Sequence, residues 1–161
     1  MKTHSKKLIV LLTFLGVFCC KESSKNITEM TSSDIEKLDK LLNFEKFRPT
    51  KVKFKYVFID NSGQNERLSV PGPSDYYLEA LLEFDSITFT KMKAIEKDME
   101  WIEQNHQKEA FNFEWLPQHI QQELDTSNPN YKGHPDLFFN TGSNGKIWYL
   151  NNKILIKKYS N

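Results

Sequence analysis

Hydrophobic and polar positions alternate most clearly over Lys51–Ile59. Val52, Phe54, Tyr56 and Phe58 fall on one side, and Lys51, Lys53 and Lys55 on the other. A period of two is the signature of a half-buried strand. Tyr76, Leu78, Ala80, Leu82 and Phe84 alternate in the same way with Tyr77, Glu79, Leu81, Glu83 and Asp85, which predicts a second strand, central or near-central; Leu78, Leu81 and Leu82 also fit a helix, and the alternating glutamates favour the strand. Glu79 and Glu83 would then mark its wet side. The period changes after Asp85. Phe89, Met92, Ile95, Met99 and Ile102 step by three or four, predicting an amphipathic helix from about Thr88 to about Gln104, capped by Asp85 or Ser86. Lys91, Lys93, Glu96 and Lys97 fall away from that stripe.

A shorter helical pattern runs through Ile35, Leu38, Leu41, Leu42 and Phe44, with Ser33 or Asp34 as its cap and Arg48-Pro49 as its stop. Pro117 suits the first turn of another short helix reaching Leu124. Asp136–Asn140, Lys146–Leu150 and Ile154–Tyr159 read as a three-strand meander turning at 141–145 and at Asn151-Asn152. Glu66–Val70 is a candidate hairpin partner before Pro71-Gly72-Pro73, and Asn105–Trp115 has no clear period. The order of elements predicts an α+β fold: a single small domain, an antiparallel sheet with helices packed on one face.

The first twenty residues follow different rules. Lys2, Lys6 and Lys7 precede an uncharged, apolar Leu8–Phe18, then Cys19 and Cys20, and the chain turns polar at Lys21. Eleven apolar residues fall short of the roughly 20 that cross a bilayer as a helix, and suit the core of an export signal. The basic head, short apolar middle and terminal cysteine resemble the signal of bacterial lipoproteins. In that family the cysteine is lipidated and becomes the first residue of the mature chain. The resemblance covers residues 1–20 alone. It implies lipidation of Cys20, with Cys19 as the alternative, and a location in the cell envelope, lipid-anchored on a periplasmic or outer-surface face. Residues 1–19 would be the signal peptide, 20–33 the lipidated cysteine with a flexible tether, and 34–161 the domain.

Charge and cysteine usage narrow the function. Removing the three leader lysines takes the formal charge from +1 to −2. A balanced, slightly acidic domain is a poor binder of nucleic acid, which wants a basic patch. Both cysteines lie at the end of the leader, so the domain itself has no disulfide, thiolate metal site or cysteine nucleophile. The mature histidines, His106, His119 and His134, lie thirteen and fifteen residues apart, without the helical spacing of a zinc motif. Asn140–Asn151 has the glycine of a calcium loop, but asparagines stand where the acidic ligands belong. No metal or cofactor is expected.

Two loops are candidate contact surfaces: Pro71–Tyr77, with Tyr76 and Tyr77, and Asn130–Asp136, with Tyr131, His134 and Asp136. The favoured expectation is a membrane-anchored envelope lipoprotein with a non-catalytic binding domain. Its partner would be an envelope protein, peptide or glycan, an immunity or inhibitor role being one form. The alternative is a cell-wall or glycan-directed hydrolase using a carboxylate pair or a His-Asp pair such as His134 and Asp136.

Overall fold

The computed structural model describes residues 26–60, 74–98, 107–127, 135–141 and 145–160. Its frame is a five-stranded antiparallel sheet in the order β1-β2-β3-β5-β4. The strands are β1 (Asn26–Ser32), β2 (Lys51–Asp60), β3 (Asp75–Glu83), β4 (Gly145–Tyr149) and β5 (Lys153–Tyr159). The helices are α1 (Ile35–Asp39), α2 (Ser86–Lys97), α3 (Gln118–Thr126) and α4 (Pro135–Phe139), with a short 3-10 helix at Lys108–Phe111. This is the small, single-domain α+β fold the alternation implies. Helix α2 begins at Ser86, two residues earlier than expected. Met99 and Ile102 of its stripe, and the hairpin candidate Glu66–Val70, lie outside the described residues.

The two alternating stretches became β2 and β3, paired so that like faces meet. Phe54, Ala80, Ile156 and Ile147 form one row across four strands, and Val52, Leu82, Ile154 and Tyr149 form the next. All eight are buried. On this first face sit α1, α2 and α4, which add Leu38, Phe89, Met92, Phe138 and Phe139 to one continuous core. Each buried aliphatic or aromatic side chain contributes about 1.5–3 kcal/mol relative to exposure, so this layer dominates the stability of the fold.

Local chemistry sets where the helices begin. The Asp34 carboxylate accepts the backbone N–H groups of Glu36 and Lys37 at 3.0 and 3.3 Å, starting α1. Asp85 accepts the N–H of Thr88 at 2.9 Å and its hydroxyl at 2.7 Å, starting α2. These bonds satisfy donors that a helix leaves open in its first turn.

Three segments depart from the sequence reading. The first is Asn26–Ser32, expected as tether. It is edge strand β1, antiparallel to β2, with Ile27 opposite Ile59 and Met30 opposite Tyr56. Polar as it is, it gains a ladder of backbone hydrogen bonds, and Met30 packs against the core. The second is Asp136–Asn140, expected as a strand. Pro135–Phe139 is instead helix α4, with Pro135 at its first position, where a proline's fixed φ and missing N–H cost nothing. Asn140 follows at φ 50°, a left-handed conformation that ends a helix and that asparagine tolerates. The meander is therefore the single hairpin β4–β5, closed by Leu150 N–H donating to Lys153 O at 2.8 Å, with Asn152 at φ 54°. The third is Glu96. It is buried rather than on the wet side of α2, and its Oε1 accepts the Tyr149 hydroxyl.

Candidate contact surface on the second sheet face

The second face of the sheet was expected to be wet because Glu79 and Glu83 lie on it. It is half dry. Leu81, Leu155 and Trp148 form a row across β3, β5 and β4. They are covered by Phe111, Phe113, Leu116, Ile120 and Leu124 from the 3-10 helix, the segment after it and α3. Glu123 holds α3 to the β4–β5 turn, accepting Asn151 N–H at 2.5 Å and Lys153 Nζ at 2.8 Å. Trp148 Nε1 donates to Ser127 Oγ at 2.8 Å just beyond the end of α3.

This cluster takes in no residue of β1 or β2, although Val57 of β2 is buried on the same face. At its margin, lysines and aromatic rings interleave. Lys53 Nζ lies 5.6 Å from the Trp115 ring centroid. Trp115 stacks on Phe113 at 5.6 Å and 21°. Lys157 Nζ then lies 5.8 Å from Phe113 and 5.5 Å from Tyr159. The ladder Lys53–Trp115–Phe113–Lys157–Tyr159 thus joins three segments of chain, each cation resting on a ring face.

Glu79 is the fixed point beneath it. Its Oε2 accepts Trp115 Nε1 at 2.8 Å, and its Oε1 lies 3.8 Å from Lys157 Nζ. Lys55 and Lys157 flank Glu79 directly on the neighbouring strands. Lys55 Nζ also donates to Glu29 Oε1 of β1 at 2.9 Å. That hydrogen bond holds the Lys55 ammonium above its ordinary pKa of 10.5, against a smaller opposing effect of burial. The next row carries Tyr77 directly opposite Tyr159.

Tyr76 and Tyr77, singled out from the sequence, are on the sheet rather than on a loop. The two-residue period runs back through both of them, so Tyr76 and Tyr77 belong to β3 and face opposite sides of the sheet. Tyr76 lies 5.8 Å from Tyr56 on the first face. Burial, and then the nearby Tyr76, push the Tyr56 hydroxyl pKa upward. Tyr77 lies on the second face beside the ladder. Asp136 belongs to helix α4, and Tyr131 and His134 lie outside the described residues, as do Cys19 and Cys20. Trp115, Phe113 and Lys157 were missed from the sequence. Their segments lack a joint period, and only folding places them side by side.

The arrangement suits recognition. Aromatic faces and lysine heads are already fixed by stacking and by Glu79, so a partner need not order them on binding. Among the described residues, no three His, Cys, Asp or Glu side chains are grouped to hold a metal ion. No helix among them is long and apolar enough to cross a membrane. No family model, curated protein or solved structure matches the chain.

Proposed function

We propose that this chain is a lipid-anchored protein of the cell envelope. Its domain binds an envelope partner, without catalysis, through the lysine–aromatic ladder of the second sheet face. The location draws its support from the order of basic head, short apolar run and cysteine in residues 1–20. The binding role rests on one observation, the ladder Lys53–Trp115–Phe113–Lys157–Tyr159 pinned by Glu79. Tryptophan and tyrosine anchors held rigid at the edge of a dry cluster are the residues that carry most binding energy in protein contacts.

Two measurements test the two halves. For the anchor, Cys19→Ala and Cys20→Ala are compared by membrane fractionation and by the mass of the mature N-terminus. Cys20→Ala should release the protein from membranes and abolish the added acyl mass. A native product that keeps Met1, or lacks acyl mass at both sulfurs, removes the anchor. For the contact surface, a photo-crosslinking residue is placed at Lys53 in an otherwise wild-type protein and in a Trp115→Ala background. A discrete adduct from envelope extract that disappears in the second background supports the role; no adduct in either removes it.

A further inference from the structure

Three large hydrophobic side chains stand exposed among the described residues: Ile27 at 55%, Tyr159 at 39% and Ile87 at 69%. Ile27 and Tyr159 are at the same end of the sheet and on the same face. Ile27 is the second residue of β1 and Tyr159 the last of β5. Between them on that face lie Ile59, opposite Ile27, and Tyr77, opposite Tyr159, both half-buried, with Val57 buried beside them. Three strand spacings separate β1 from β5, about 14 Å. This end is also where the chain enters the sheet.

Only Lys21–Lys25 separate Cys20 from Asn26. Six residue steps span at most about 20 Å when fully extended. A lipid-anchored Cys20 therefore keeps the start of β1 within that distance of the bilayer surface. The opposite end of β3, where α2 begins and Ile87 is exposed, lies about 27 Å further along the strand direction.

We infer that the end of the sheet carrying Ile27, Ile59, Tyr77 and Tyr159 rests on the lipid surface beside the anchor. This proposal rests on the reading of Cys20 as the acylated residue. The chemistry suits the occupant. Isoleucine and tyrosine rings enter the boundary between headgroups and acyl chains, where an amphipathic ring is favoured. Lys55, Lys157 and Lys146 follow in the next row on the same face, Lys55 held by Glu29 and Lys157 lying between Glu79 and the Tyr159 ring. Glu29 and Glu79 offset much of their charge, so the seat is chiefly apolar and salt weakens it little. Held in this way, the strands stand up from the bilayer, Tyr159 is the foot of the ladder at the lipid surface, and Lys53 and Trp115 look sideways along the membrane.

The test uses the acylated full-length product in phosphatidylcholine vesicles that contain a headgroup-nitroxide lipid. A fluorophore is attached at Thr28→Cys in one protein and at Ser86→Cys in another. Quenching at position 28 should exceed that at 86 at least threefold. Ile27→Ser with Tyr159→Ser, checked for unchanged circular dichroism, should bring the two positions level. Equal quenching at 28 and 86 in a product that carries its acyl mass overturns the lipid seat and leaves the anchor standing. Quenching at 28 that the double substitution does not change also overturns it. A label at 28 that is unquenched in these vesicles, together with an unlabelled Thr28→Cys thiol shielded from added maleimide in native membranes, assigns the surface to a protein instead. A product without acyl mass overturns the anchor and this inference together.

Discussion

Replacing Phe138 and Phe139 by alanine, one at a time, tests the segment that departs most sharply from the hydrophobic pattern. Both are buried, at 3% and 0% exposure. Adjacent residues of a strand with one buried face cannot both be buried, because successive side chains point to opposite sides. A helix wedged between elements can bury both. Phe139 meets Phe44 at 6.0 Å and 88° and Phe84 at 6.3 Å and 30°. Phe138 meets Phe47 at 5.3 Å and 82°. The backbone ties the same place, with Asn43 N–H donating to Phe139 O at 3.0 Å. Truncating a fully buried phenylalanine costs about 3–5 kcal/mol, the transfer of the ring plus the cavity it leaves. Against a total stability of about 5–15 kcal/mol that is a large fraction. With a urea slope of about 2 kcal/mol per molar, each substitution should lower the midpoint by about 1.5–2.5 M. Equilibrium urea unfolding followed by circular dichroism measures it. A strong loss at one position with a loss under about 0.5 kcal/mol at the other is the result a strand with one covered face produces, and it would refute the packing of α4.

Three further outcomes are expected. Tyr149→Phe deletes the hydroxyl that donates to buried Glu96, and should cost about 1–3 kcal/mol in the same assay, with no loss refuting the pairing. Glu79→Ala removes the acceptor of the Trp115 indole and the carboxylate beside Lys157. It should red-shift tryptophan emission and cost about 1 kcal/mol; an unchanged spectrum would count against the ladder. The Asp85 carboxylate is held below its ordinary pKa of 3.8, first by the Thr88 N–H and then by the Thr88 hydroxyl. The unfolded chain therefore takes up that proton first as pH falls. The stabilisation is complete above 3.8 and lost as pH drops through the depressed folded value. Asp85→Ala should melt below the wild type at about pH 6, with the gap narrowing as pH is lowered beneath 3.8, and parallel curves would refute the cap.

Much of this architecture was legible before folding. The alternation of Val52–Phe58 with three lysines, and of Leu78–Leu82 with Glu79 and Glu83, determines two strands and the face each gives to the main core, but not that Val57 and Leu81 are buried on the other side. A period of two leaves no other register for the apolar set. Phe89, Met92 and Ile95 determine the face of α2, and Asp85 its start. The order of charge, apolar run and cysteine in the first twenty residues is likewise a property of the chain alone. Tertiary structure decided the rest. Asn26–Ser32 is too polar to declare itself a strand, because its stabilisation comes from backbone groups offered by the edge of β2. Phe138 and Phe139 fit a strand or a helix by type, and the space between Phe44, Phe47 and Phe84 selects the helix. Glu96 reads as solvated until Tyr149 is brought over it from β4, 53 residues away in sequence. The ladder has the same origin. Lys53, Trp115 and Lys157 come from segments far apart in the chain, and no local pattern records that folding stacks them, since a cation–π contact constrains positions in space and leaves no period in the sequence.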